Sequence, residues 1–152
     1  MRDRRMLTRG FTLIELIVVI LVLGVLAATI APKFFDLAGS ARGAAVKTLA
    51  GSLTSTAQMA RAVQAASGLT TGGTISVEGV NIVMNLGYPA VTSIANAVAY
   101  DTATFSLVTV TAGNYAFVVS SAGTTANCAA SYAPPAAAGA APTIVFTTTG
   151  CN

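Results

Sequence analysis

The sequence predicts an α+β chain: a long N-terminal α-helical spine followed by a C-terminal head of antiparallel β-sheet. Three observations lead there. An apolar run from Phe11 to Ala31 is followed by an apolar stripe at helical spacing, Val46, Leu49, Leu53, Ala57, Ala60 and Val63. After Gly68 the pattern changes to short β-branched runs punctuated by Gly, Asn and Pro. Composition agrees, since 54% of the 152 residues are hydrophobic and only 9% charged, far from the roughly 25% charged of a soluble globular domain.

The formal charge of +3 lies within the first ten residues, where Arg2, Arg4, Arg5 and Arg9 outweigh Asp3. From Phe11 onward Lys33, Arg42, Lys47 and Arg61 balance Glu15, Asp36, Glu78 and Asp101. No Lys or Arg follows Arg61. The clustered cations that phosphate binding requires are therefore missing, and nucleic acid is not an expected partner despite Tyr88, Tyr100, Tyr115 and Tyr132. The chain has no His, which removes the usual general base, the Ser-His triads and most zinc sites. Two Cys 23 positions apart match no metal-ligand spacing, and the last third holds no acidic cluster for Ca²⁺. Neither an enzyme nor a bound cofactor or metal is expected.

Phe11 to Ala31 is 21 residues, about 31 Å as a helix at 1.5 Å per residue and enough to cross a hydrocarbon core. Arginines before it, with only Lys33 close behind, orient the amino end toward the cytoplasm. A secretory signal peptide would also show a basic start and an apolar middle. Against it, the apolar region is too long before the small residues Ala27-Ala28, and Glu15 lies inside it. A carboxylate near mid-membrane costs roughly 2.5–3.5 kcal/mol on insertion scales, so Glu15 is expected to have a partner.

Gly10-Phe11-Thr12-Leu13-Ile14-Glu15-Leu16, then an apolar run and Pro32, resembles the amino terminus of a type IV pilin precursor. The resemblance implies a class III leader, residues 1–10, cut after Gly10 by a prepilin peptidase that then N-methylates Phe11. It also implies that Glu15 neutralises the new Phe11 amine of a neighbouring copy during assembly, a pairing that sets register more than it adds net stability. Residues 11–31 are then the transmembrane and polymerisation half of the helix. Gly24 and Pro32 bracket the second half of the apolar run, and because proline lacks the helix donor they mark a candidate helix break or kink. In the family this segment can become extended within the filament.

Residues 32–66 form the amphipathic half, with Lys47, Thr54, Gln58 and Arg61 opposite the apolar stripe and Gly68 as stop signal. The head, residues 67–152, begins with Thr74 to Val77 and Val80 to Met84 about Glu78-Gly79, spaced as a hairpin. Asn85 to Ala90 reads as a turn in which Gly87 takes a positive φ. Thr92 to Ala99 is a candidate short helix. Phe105 to Thr111 and Tyr115 to Ser120 form a second hairpin, whose buried face is left open because Phe105 and Leu107 compete with Val108 and Val110. Thr143 to Thr148 is the expected last strand.

Cys128 and Cys151 enclose the low-complexity stretch from Ala133 to Pro142, which has little ability to pack a core of its own. An outward-facing head lies in an oxidising compartment, so the two are expected to form a disulfide, contributing about 3 kcal/mol in the chain-entropy model. In the family the disulfide-bounded segment, here 128–151, is the D-region exposed on the filament. With Ala31-Pro32-Lys33-Phe34 and Asn85 to Ala90, the two-Cys ending is also similar to pilins of the mannose-sensitive haemagglutinin (MSHA) system, which implies surface attachment.

The resemblance thus implies a structural subunit, anchored in the bacterial inner membrane as a precursor and later extracellular in a helical filament of its own copies. Its partners would be those copies, the prepilin peptidase and the pilus assembly machinery. The alternatives are a pseudopilin of a type II secretion system, which shares the amino terminus, and a minor pilin acting as an adhesin.

Overall fold

The computed structural model describes residues 10–69, 72–111, 114–119 and 127–151. The chain divides into two compact units, residues 1–37 and residues 38–152.

Helix α1 runs from Leu13 to Ala66. It starts where a reciprocal pair satisfies orphan donors: Glu15 N–H donates to Thr12 Oγ1 at 3.3 Å, and Thr12 N–H donates to Glu15 Oε2 at 2.9 Å. It stops before Gly68, which takes a φ of 70° and whose N–H donates to the Ala65 carbonyl at 3.2 Å. Within the described part of the first unit, the apolar side chains from Leu13 to Ile30 are all exposed, so this stretch of α1 has no buried face. No break occurs at either expected position in the single chain. A Cβ at Gly24 would meet nothing within 4 Å, and Pro32 lies inside the helix. Proline lacks the N–H that would otherwise donate to the Ala28 carbonyl one turn back.

In the second unit the expected stripe forms the core. Val46, Leu49, Leu53 and Ala57 are buried against Ile94, Phe105, Phe117 and Tyr132, and Ala60 is buried with Ile75, Ile82 and Met84. Lys47, Thr54, Gln58 and Arg61 are exposed, as the periodicity predicts. Gln64, unremarked in the sequence, is only 2% exposed, and its amide donates to the Gly72 carbonyl at 3.2 Å. That bond ties the end of α1 to the first strand and satisfies a polar group that burial would otherwise penalise.

Among its described residues the head holds two antiparallel sheets where one was expected. The first has the order β1 (Gly72–Val77), β2 (Val80–Asn85), β3 (Tyr88–Pro89). Val77 pairs Val80 across the two-residue turn Glu78-Gly79, with φ of 52° and 83°. Positive φ at both positions is the mirror-image turn whose twist matches the strands, and glycine makes its second position cheap. Leu86 and Gly87 repeat the device, with φ of 51° and 90°, and bring Tyr88 back against Asn85. Helix α2 (Val91–Ala97) docks on this sheet through Ser93, whose hydroxyl accepts the Val83 N–H at 3.1 Å.

The second sheet has the order β4 (Phe105–Thr111), β5 (Asn114–Val119), β6 (Ala129–Ala133), β7 (Thr143–Thr147). The expected hairpin is present, with a register irregularity between Thr109 and Thr111; its turn residues Ala112 and Gly113, and Ser120, lie outside the described residues. Both competing parities are used. Phe105 joins the helix-side core, whereas Val108 packs on Ala116 and Ala129 in a separate small cluster. Strand β6 is a correction to the sequence reading, which placed no strand between residues 120 and 143. Its Ala130 and Tyr132 are fully buried.

Candidate functional site

The N-terminal site is built on the first turn of α1. Gly10 and Phe11 precede the helix, and a Cβ at Gly10 would meet nothing within 4 Å, so nothing in the fold demands glycine there. Phe11 is 81% exposed. With Ile14, Glu15, Val18 and Val19 it lines an open apolar hollow of about 430 Å³. One carboxylate therefore stands at the rim of an otherwise apolar surface. Its Oε2 also accepts the Thr12 hydroxyl at 2.7 Å. Thr12 is the functional neighbour that sequence reasoning passed over, although Thr12-x-x-Glu15 before an apolar run is the sequence signature of this cap. Glu15 is thus held in place by hydrogen bonds from a neutral residue, and among the described residues no cation pairs with it.

Of the residues singled out in the sequence, Phe11 and Glu15 are brought together at this hollow. Gly24 and Pro32 lie farther along the same helix, and the two cysteines belong to the second unit. Cys128 and Cys151 form a disulfide with Cα atoms 4.9 Å apart, and both are buried in the main core. The loop it closes contains β6 and β7 as well as the exposed stretch from Ala136 to Ala141. Two further contacts seat it. Gly150 N–H donates to the Asn127 carbonyl at 2.8 Å, and Arg42 donates to the Cys151 carbonyl at 3.1 Å, fastening the C-terminal segment to α1. Position 150 is closed to side chains, because a Cβ there would lie 2.5 Å from that of Asn127.

Burial in the core pushes the Tyr132 phenol well above its ordinary value, and the neighbouring Tyr88 adds to the shift. Its hydroxyl donates to the Pro89 carbonyl at 2.7 Å, joining β6 to β3. Asp101 is held below the usual carboxylate range by the Thr104 hydroxyl and the Ala103 N–H, which cap the turn into β4. Among the described residues no three His, Cys, Asp or Glu side chains gather as a metal site would require. The helix from Leu13 is long and apolar enough to cross a membrane by length and composition.

Residues 5–31 match the family model described as the prokaryotic N-terminal methylation motif. No curated protein and no solved structure matches the chain. The motif is a type IV pilin signal, which implies prepilin peptidase processing and assembly as a structural subunit, and with the apolar helix it fits a membrane-anchored precursor. A long N-terminal helix followed by antiparallel sheets fits a type IV pilin, and the motif supports a type IV pilin-like or pseudopilin precursor.

Proposed function

We propose that this chain is the structural subunit of a type IV pilus of the MSHA kind, cut after Gly10, N-methylated on Phe11 and polymerised from the inner membrane into a surface filament for attachment. The observation that carries the reading is Glu15. It is the only ionisable side chain between Phe11 and Pro32, it stands at the edge of an apolar surface, and among the described residues its hydrogen bonds come from Thr12 alone. A group so placed gains a counter-charge when the Phe11 amine of another copy docks against the hollow. Pairing on assembly offsets a desolvation that neither charge escapes alone.

The N-terminal half of α1 then serves two environments with one surface, lipid before assembly and like helices afterwards. Gly24 and Pro32 are where this half would extend in the filament, since proline has already removed one helix bond there. Surface attachment is supported by the head's composition. No ionisable side chain occurs between Asp101 and the end of the sequence apart from tyrosines and the disulfide-bonded cysteines, so contact with a target there is apolar or hydroxyl-mediated and little affected by salt.

Glu15→Val tests the reading. Cleavage after Gly10 is expected to continue, while filaments recovered by shearing the cell surface fall to a small fraction of wild type. Undiminished filament yield would remove the role given to Glu15.

A further inference from the structure

The unit from Ala38 onward carries few charged side chains, Arg42, Lys47, Arg61, Glu78 and Asp101. Three of them have partners within the chain. Arg42 donates to the Cys151 carbonyl, and Asp101 accepts from Ala103 N–H and the Thr104 hydroxyl. Arg61 lies over the Tyr88 ring, 4.9 Å from its centroid, and donates to the Tyr88 hydroxyl. Lys47 and Glu78 remain. Both are exposed, and among the described residues neither has a hydrogen-bonding or ion-pair partner.

These two opposite charges belong to unlike surfaces. Lys47, on α1, lines a polar hollow of about 340 Å³ with Gly39, Ser40, Gly43, Ala44 and Thr148. Glu78 sits in the two-residue turn between Val77 and Val80 and lines a groove of about 630 Å³ that also includes Ser52, Ser55, Met59 and Ile82. A copy that sets its Lys47 surface against a neighbour's Glu78 surface still has its own Glu78 open to the next copy. In a filament such a contact is heterologous, each copy meeting one neighbour through Lys47 and another through Glu78, whereas a two-fold pair would spend both charges on one neighbour. Within this unit Lys47 and Glu78 are the charged side chains without a hydrogen-bonding partner among the described residues, so a register that keeps them apart leaves both unpaired. A charge pair at an interface acts in this way, on specificity and register more than on affinity.

We propose that copies of this chain contact one another through Lys47 of one copy and Glu78 of the next, and that this pair sets the register of the heads. The proposal rests on the filament-subunit reading above. Lys47→Glu and Glu78→Lys, each made in the full chain in the bacterium that assembles it, place like charges face to face. Each is expected to lower sheared-filament yield about tenfold, and the double swap to restore it to within about twofold, as complementary pairs couple across interfaces. Leader cleavage and the Cys128–Cys151 disulfide, read in the membrane pool, stay unchanged in all three. Carbodiimide treatment of wild-type filaments should join Glu78 to Lys47 in one cross-linked peptide pair. Wild-type yield in both single variants, or a cross-link from Glu78 to Lys33 in place of Lys47, would overturn the assignment. Absence of this chain from wild-type filaments would instead count against the subunit reading itself.

Discussion

Removing the disulfide tests whether the C-terminal segment is a structural part of the head or an appendage. Cys128 and Cys151 are 23 positions apart, and both are buried. In the chain-entropy model a cross-link closing a loop of this length contributes about 3.4 kcal/mol at 25 °C. For a unit of this size, at about 4 °C per kcal/mol, that corresponds to a fall in melting temperature of about 14 °C. The loop contains β6 and β7, so loosening it exposes Tyr132 and weakens the Arg42 anchor, which adds to the entropic loss and does not offset it. The assay is thermal unfolding of the full chain in detergent, followed by near-ultraviolet circular dichroism. It compares oxidised protein, reduced protein and the Cys128→Ala, Cys151→Ala double variant. Melting of reduced and double-variant protein within about 3 °C of the oxidised form would refute the reasoning.

Two further predictions concern buried and capped polar groups. Tyr132→Phe leaves the Pro89 carbonyl without its donor and should cost about 1–3 kcal/mol in denaturant unfolding. Because folding raises this phenol's pKa, its contribution is complete below the ordinary value near 10 and declines as pH rises above it. Wild type should therefore lose stability above pH 10 more steeply than the Phe variant, and equal alkaline slopes would contradict that. Asp101 behaves oppositely. Its folded pKa is lowered, so its contribution is present above the unfolded value and lost as pH falls through the folded one. Asp101→Asn should flatten the acid limb of the stability profile, and an unchanged limb would show that the turn cap is thermodynamically silent.

The spine was legible because two strong periodic signals ran through it, a charge-free run and a stripe spaced for a helix face. The stripe predicted which side of α1 is buried, down to Ala57 and Ala60. The first hairpin was legible from Glu78-Gly79 and two flanking β-branched runs. Strand β6 was not, because Ala129-Ala130-Ser131-Tyr132-Ala133 lacks the β-branched residues that signal a strand and owes its place to pairing on both sides. The split into two sheets was hidden for a related reason. Leu86 takes a positive φ usually left to Gly or Asn, so the return of Tyr88 and Pro89 as a third strand had no compositional sign. At the N-terminal site Phe11 and Glu15 could be named from residue order alone. Thr12 entered only when its hydrogen bonds to Glu15 were seen. Arg42 and Gln64 act through contacts with distant carbonyls, which no local pattern encodes.

The central claim is that the chain becomes a filament subunit by losing its first ten residues. Mass spectrometry of sheared surface filaments tests this most directly. The account predicts one dominant species that begins at N-methylated Phe11 and is two hydrogens lighter than its reduced form. Filaments containing this chain with Met1 and the leader still attached would contradict it.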